Sequence, residues 1–267
     1  MDIKNKSNAE QMEKRDVELV LHGDPLKPPE GFFAKAMAFI IDLIERGNII
    51  SSKFGNPSVY EKTSFPWAYE VESEWMKIRE ELDVVIKRRE DLPSFHEITS
   101  EVETITTDQN WKTYFLVGFG IECEENLKRC PETARILKRI PGMKTAFFSI
   151  LSPGKLIPPH RGPYNGVLRY HLGLIVPEPR EQCRIRIGDQ ITGWSEGESL
   201  IFDDSFNHEV WNDTDGYRSI LFVDFVRPLR FPFNLINKFV LGAAVFSPFI
   251  KEAQENHKNW EKKFYNN

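Results

Sequence analysis

Three of the six histidines fall in one stretch, each on or beside a β-patterned segment: His160, His171 and His208. Two arginines accompany them, Arg169 two residues before His171 and Arg218 ten residues after His208. Neutral imidazoles suit a first-row transition metal, and a guanidinium near such a centre suits a carboxylate held through paired hydrogen bonds. An iron centre that also holds an oxo-acid is the economical reading of the set. A lone buried histidine is more often a satisfied core residue than a ligand. Here the pattern supplies ligands and an anion clamp together, and that reverses the preference.

The positions of these residues imply how they are held. His160 lies between Pro158-Pro159 and Arg161-Gly162-Pro163, at the end of a strand where side chains point into a barrel mouth. His208 follows a turn and heads another strand, so in a rolled sheet the two can face each other. Arg169 and His171 are two apart on a strand and share a face, while Leu168, Tyr170 and Leu172 point the other way. Buried arginine is costly unless paired. An inward Arg–His pair therefore predicts an anion between or beside them; a solvent-facing polar stripe would show the same alternation.

The elements that must position these residues occupy the second half of the chain. Strand-like runs follow one another at short intervals: from Trp111, then Thr145 to Leu151, Val167 to Val176, Cys183 to Ile187, Gln190 to Trp194, Ser199 to Phe202, His208 to Asn212 and Arg218 to Val226. Turn residues separate nearly all of them, and Gly188-Asp189 suits a two-residue hairpin loop. Many short strands with such turns indicate an antiparallel sandwich, jelly roll or barrel. The fold class is thus mainly β with flanking helices. Apolar residues at helical spacing predict supporting helices over Gly31 to Gly47 and Val71 to Lys87, and a short one over Glu125 to Ile140. This divides the chain into a leader (1–30), a helical support region (31–110), a β core (111–230) and a helical extension (231–267).

The chain has 267 residues, 40% hydrophobic and 28% charged, an ordinary globular composition. A net charge of -5 argues against nucleic-acid binding by the chain as a whole. Cys123, Cys130 and Cys183 form no CxxC pair, and Met1 to Asp16 has no apolar run of a secretory signal. A reducing, cytoplasmic setting is expected. No run of apolar residues is long enough for a confident membrane span. The nearest is Phe231 to Ile250, broken by Pro232, Asn234, Asn237, Lys238 and Pro248. It reads as a core-docked helix, a helix making peripheral membrane contact, or part of a binding wall.

The runs HRGPYNGVLRYHLGLIVP and WSEGESLIFDDSFNHEVWNDTDGYRSILFVDFVRP resemble the aspartyl/asparaginyl β-hydroxylase family of iron(II)- and 2-oxoglutarate-dependent oxygenases. They also resemble its bacterial relatives that hydroxylate lipid A acyl chains. The resemblance covers about residues 111 to 230 and implies a double-stranded β-helix (a cupin-like jelly roll). It implies Fe(2+), with 2-oxoglutarate and O2 as cosubstrates. By position the metal histidines fall on His160 and His208, and the 2-oxoglutarate contacts on Ser149, Arg169, His171 and Arg218.

Departures from the family pattern bear on the substrate. The carboxylate of the usual facial triad would stand at position 162, where this chain has glycine. Peptide hydroxylases of the family lack it too, whereas the lipid A enzymes keep an aspartate. Phe147 and Val167 replace basic groups that would suit an acidic substrate, and VRPLRFPFNLINKF looks more like the lipid enzymes. Asp204 is available for a substrate polar group or as a turn residue. Trp211, Phe202 and Phe148 line the site or belong to the core. Peptidyl, amino-acid-type and lipid acyl substrates all remain open. The rival reading is a non-catalytic jelly-roll module holding a metal or carboxylate.

Overall fold

The strand from Val167 to Ile175 buries residues on both of its faces, so something must cover each. The computed structural model describes residues 31–266 and shows what does; the expected leader, 1–30, lies outside the described residues. The strands are β1 (Val59–Tyr60), β2 (Trp111–Gly118), β3 (Ile121–Glu122), β4 (Met143–Leu151), β5 (Leu156–His160), β6 (Val167–Ile175), β7 (Cys183–Ile187), β8 (Gln190–Gly193), β9 (Ser199–Phe202), β10 (His208–Asn212) and β11 (Arg218–Val226). They form a seven-stranded sheet ordered β1-β9-β6-β11-β4-β2-β3 and a four-stranded sheet ordered β5-β10-β7-β8. Neighbouring strands within each sheet run antiparallel. The two sheets enclose an apolar interior that holds Phe147, Ile220 and Phe222 from the large sheet with Ile157, Ile185 and Val210 from the small one. This is the expected jelly roll.

Helices cover the other face of the large sheet. Ile78 and Leu82 pack with Tyr170, Leu172, Leu221 and Val223. The period of two in β6 thus sends Leu168, Tyr170 and Leu172 to the helices, and Arg169 and His171 inward. The helices are α1 (Phe32–Ser51), α2 (Trp67–Glu72), α3 (Trp75–Val85), α4 (Phe95–Ile98), α5 (Glu124–Arg129), α6 (Pro131–Leu137), α7 (Phe233–Ala244) and α8 (Pro248–Asn266).

Three expectations need correction. The helix read over Val71 to Lys87 is broken after Glu72, and its end tightens into a 3-10 turn from Ile86. The helix read over Glu125 to Ile140 is two, because Pro131 lacks an N–H and starts a new helix at its first position. The segment 231–250 is not a core helix: within α7 only Asn237 is buried, while Leu235 and Phe239 are exposed. Among the described residues no single helix is long and apolar enough to cross a membrane, although α7 and α8, bent by 53° at their junction, pass that test as a pair.

Candidate active site

β5 and β10 pair so that His160 and His208 are direct partners across the two strands. Their ring centroids lie 4.1 Å apart. His160 Nδ1 lies 2.8 Å from the Pro158 carbonyl oxygen, and His208 Nδ1 lies 2.9 Å from that of Phe206. A carbonyl can only accept, so each Nδ1 carries the proton and each Nε2 keeps its lone pair. That is the tautomer a metal ligand needs, fixed by a hydrogen bond on the far side of the ring. Burial holds the imidazoles neutral: His160 is lowered to about 4, and His208 well below its ordinary value. Burial is the largest cause in both, with the Arg169 charge adding to it. Among the described residues no third His, Cys, Asp or Glu completes a metal-binding group.

The interior face of β11 carries Arg218, Ile220, Phe222 and Asp224 in succession, and the other polar residues are arranged along it. Arg218 is buried at 2% exposure. Its Nη1 lies 3.5 Å from Ser149 Oγ, which also accepts from Trp111 Nε1 at 3.0 Å. Its guanidinium lies over the Trp194 ring at 4.6 Å, and its Nε has no hydrogen-bond partner among the described residues. No carboxylate pairs with it among the described residues, and burial lowers it to about 10. A guanidinium in such a place is costly without an anion.

His171 stands across from Phe222. Trp194 Nε1 donates to its Nδ1 at 3.3 Å, so the ring proton is on Nε2. That buried Nε2 has no partner among the described residues. Burial and the charges of Arg169 and Arg218 keep the ring neutral. An unpaired N–H donor and an unpaired guanidinium N–H in one interior fit a dicarboxylate.

Arg169 differs. Its Nη2 pairs with Asp204 Oδ2 at 2.7 Å and its Nε with Asp224 Oδ1 at 2.9 Å, and it lies over the Phe222 ring at 4.2 Å. The anions that its burial called for are the protein's own carboxylates. Asp204 is buried, burial pushes its carboxyl up, and its Oδ1 lacks a partner. A Cβ built on Gly162 would come within 2.1 Å of Asp204 Oδ2. The space of a side chain at 162 is therefore filled by the carboxylate of Asp204, and the Gly162 N–H donates to the Asp204 carbonyl at 2.7 Å.

The structure does not bring Phe147 and Val167 together. Phe147 is buried and stacked on Phe222 at 4.2 Å, whereas Val167 is paired with Val226, four residues further along β11. Phe202 contacts His171 and His208, Trp211 lies under Arg184 outside the interior cluster, and Phe148 faces the helices. Sequence reasoning missed Trp111, Trp194 and Asp224. Only Asp224 left a signal, as a lone charge in the apolar run SILFVDFV.

Comparison with known proteins agrees with this geometry. The sequence model of the aspartyl/asparaginyl β-hydroxylase family matches residues 72–228. An ornithine lipid ester-linked acyl 2-hydroxylase of Rhizobium tropici is 53% identical over 85% of this chain and 80% of its own length. The human aspartyl/asparaginyl β-hydroxylase is 36% identical over 59% of this chain, which spans only 21% of that protein. A prolyl-4-hydroxylase crystal structure from Pseudomonas putida overlaps 58% of this chain and 88% of its own at 17% identity and TM-score 0.37, too distant to bear on function. With its family match spanning both metal-type histidines and both interior arginines, the chain belongs to the aspartyl/asparaginyl β-hydroxylase family of oxygenases.

Proposed function

We propose that this protein is an iron(II)- and 2-oxoglutarate-dependent hydroxylase acting on a lipid acyl chain. The observation that carries the reading is Arg218, a buried cation without a carboxylate partner among the described residues. It shares the interior with two imidazoles whose Nε2 lone pairs are free. His160 and His208 would hold the metal. Arg218, with Ser149, would take the far carboxylate of 2-oxoglutarate through charge-assisted hydrogen bonds, and His171 Nε2–H would donate to a second oxygen. Arg169 has five N–H donors and two ion pairs, so it can still reach the cosubstrate while holding Asp204. When bound, iron(II), 2-oxoglutarate and O2 supply the oxidising power that converts an unactivated C–H to C–OH. The chain's part is to orient the reactants and keep water out. In this reading 111–230 is the catalytic core, 31–110 its support and 231–267 an extension that contacts lipid.

Two features point to the substrate. A relative that is similar over most of both chains is named for an ester-linked acyl group of an ornithine lipid. Phe147 and Val167, although they lie apart, each supply no cation for an acidic side chain, and a carboxylate desolvated beside Phe147 would be costly. Iron-loaded protein, 2-oxoglutarate and an ornithine-lipid extract should yield succinate and a lipid heavier by one oxygen atom. His160→Ala and His208→Ala should each abolish both products. Full turnover in either variant refutes the metal assignment, and oxygen incorporation into peptides but not lipids refutes the substrate.

A further inference from the structure

We propose that α1 and α7 form a paired-helix platform that docks on an anionic lipid surface and is clamped to the loop after His160. The two helices pack together, and a Cβ on Gly47 would come within 1.8 Å of the Phe233 ring. Their outer faces are apolar and uncovered by described residues. Phe39 is 63% exposed and Phe239 77%, with Ile40, Leu43, Leu235 and Phe246 also exposed. An apolar surface built from several large side chains marks a contact face.

Charge identifies the partner. Across residues 31–56 and 227–247 the acids are Asp42, paired with Arg46, and Glu45, buried against Arg161. Lys35 on α1 and Lys238 on α7 are exposed, as are Lys53 just after α1 and Arg230 just before α7, and no described carboxylate pairs with them. A chain of net charge -5 thus places uncompensated cations around its apolar face. Apolar helix faces ringed by lysine and arginine match the interface of a bilayer with anionic headgroups.

The platform reaches the site through a buried polar network. Glu45 Oε1 accepts from Arg161 Nη2 at 3.0 Å and from the Asn165 N–H at 2.8 Å. Asn48 Nδ2 donates to Asn165 Oδ1 and to the Tyr164 hydroxyl. From α7, Asn237 accepts from Tyr164 at 2.9 Å and donates to the Gly166 carbonyl at 2.7 Å. Both helices therefore hold the segment 161–166 that comes directly after a candidate metal ligand, and docking would order the mouth of the site where lipid arrives.

The lipid reading gives this platform its purpose, but docking needs no turnover and is tested without metal. Full-length protein should float with vesicles of phosphatidylcholine and phosphatidylglycerol, and far less with phosphatidylcholine alone. The double variant Phe39→Asp/Phe239→Asp should lose roughly a hundredfold in vesicle affinity with its melting temperature unchanged. Amide exchange across 161–166 should slow on vesicle binding. In Glu45→Gln, which should still float, it should not. Wild-type protein that stays with the buffer overturns the proposal, as does a double variant that floats equally well. So does a double variant that merely dissociates a solution dimer, or exchange across 161–166 that ignores vesicles. Protein that hydroxylates detergent-dispersed lipid yet never floats refutes docking alone; protein that floats without hydroxylating refutes only the catalytic reading.

Discussion

The two interior arginines sit on one sheet face in opposite electrostatic settings. Arg169 is clamped by Asp204 and Asp224 at one end of β11. Arg218, at the other end, has a hydroxyl, an indole face and, among the described residues, no carboxylate. The first is complete within the folded chain and serves to hold a carboxylate in the space that Gly162 leaves open. The second is incomplete until an anion arrives, so folding alone leaves its cost standing. A buried charge that the protein neutralises supports the fold whether or not a ligand also reaches it, and one that it does not neutralise is a binding site in waiting.

Exchange for methionine should separate the two. Arg169→Met strands two carboxylates and should lower stability by about 3–5 kcal/mol, read by chemical denaturation of the metal-free protein. Arg218→Met removes an uncompensated charge and should leave stability equal or higher. Its 2-oxoglutarate affinity should fall at least about a hundredfold, or about 2.7 kcal/mol, measured by titration calorimetry with iron(II) under anaerobic conditions. Equal losses of stability would erase the distinction. Gly162→Ala tests the Asp204 side alone: the added methyl must displace the carboxylate, at a cost of about 1–3 kcal/mol, while 2-oxoglutarate affinity at Arg218 changes little.

The smallest expected effect is a background against which acid sensitivity at either arginine must be judged. His257, on α8, is lowered from 6.5 to about 4 by burial. The unfolded chain takes its proton first as pH falls, so stability is full above about pH 6.5 and drains away toward pH 4. The loss should be about 1 kcal/mol by about pH 5.5. His257→Leu should make that part of the denaturation profile less steep, with the buried His160, His171 and His208 supplying the slope that remains, and an unchanged profile would remove His257 from the account.

Much of the β core was legible because its strands obey a period of two with turn residues between. The runs 183–187, 199–202, 208–212 and 218–226 coincide with β7, β9, β10 and β11 at both ends. The helical region was less legible. Apolar spacing continues across Glu72–Trp75 and across Cys130–Pro131, and spacing carries no information about a break in the axis. The outward face of α7 was hidden for a related reason, since an apolar stretch does not say whether protein or lipid will cover it.

By itself the sequence determined the residue types: two histidines able to share a metal, a third beside an arginine on one strand face, and a glycine where the facial-triad carboxylate would stand. Alternation and local turns suffice for that, because they act within a few residues of chain. Tertiary structure alone decided that Asp204 fills the place of the missing side chain and that Asp224 completes Arg169. It also decided that Arg218 is left without a counter-ion. Those outcomes depend on the register of β9 and β11 against β6 and of β11 against β4, and register is set by burial of whole sheet faces, a sum over many distant residues.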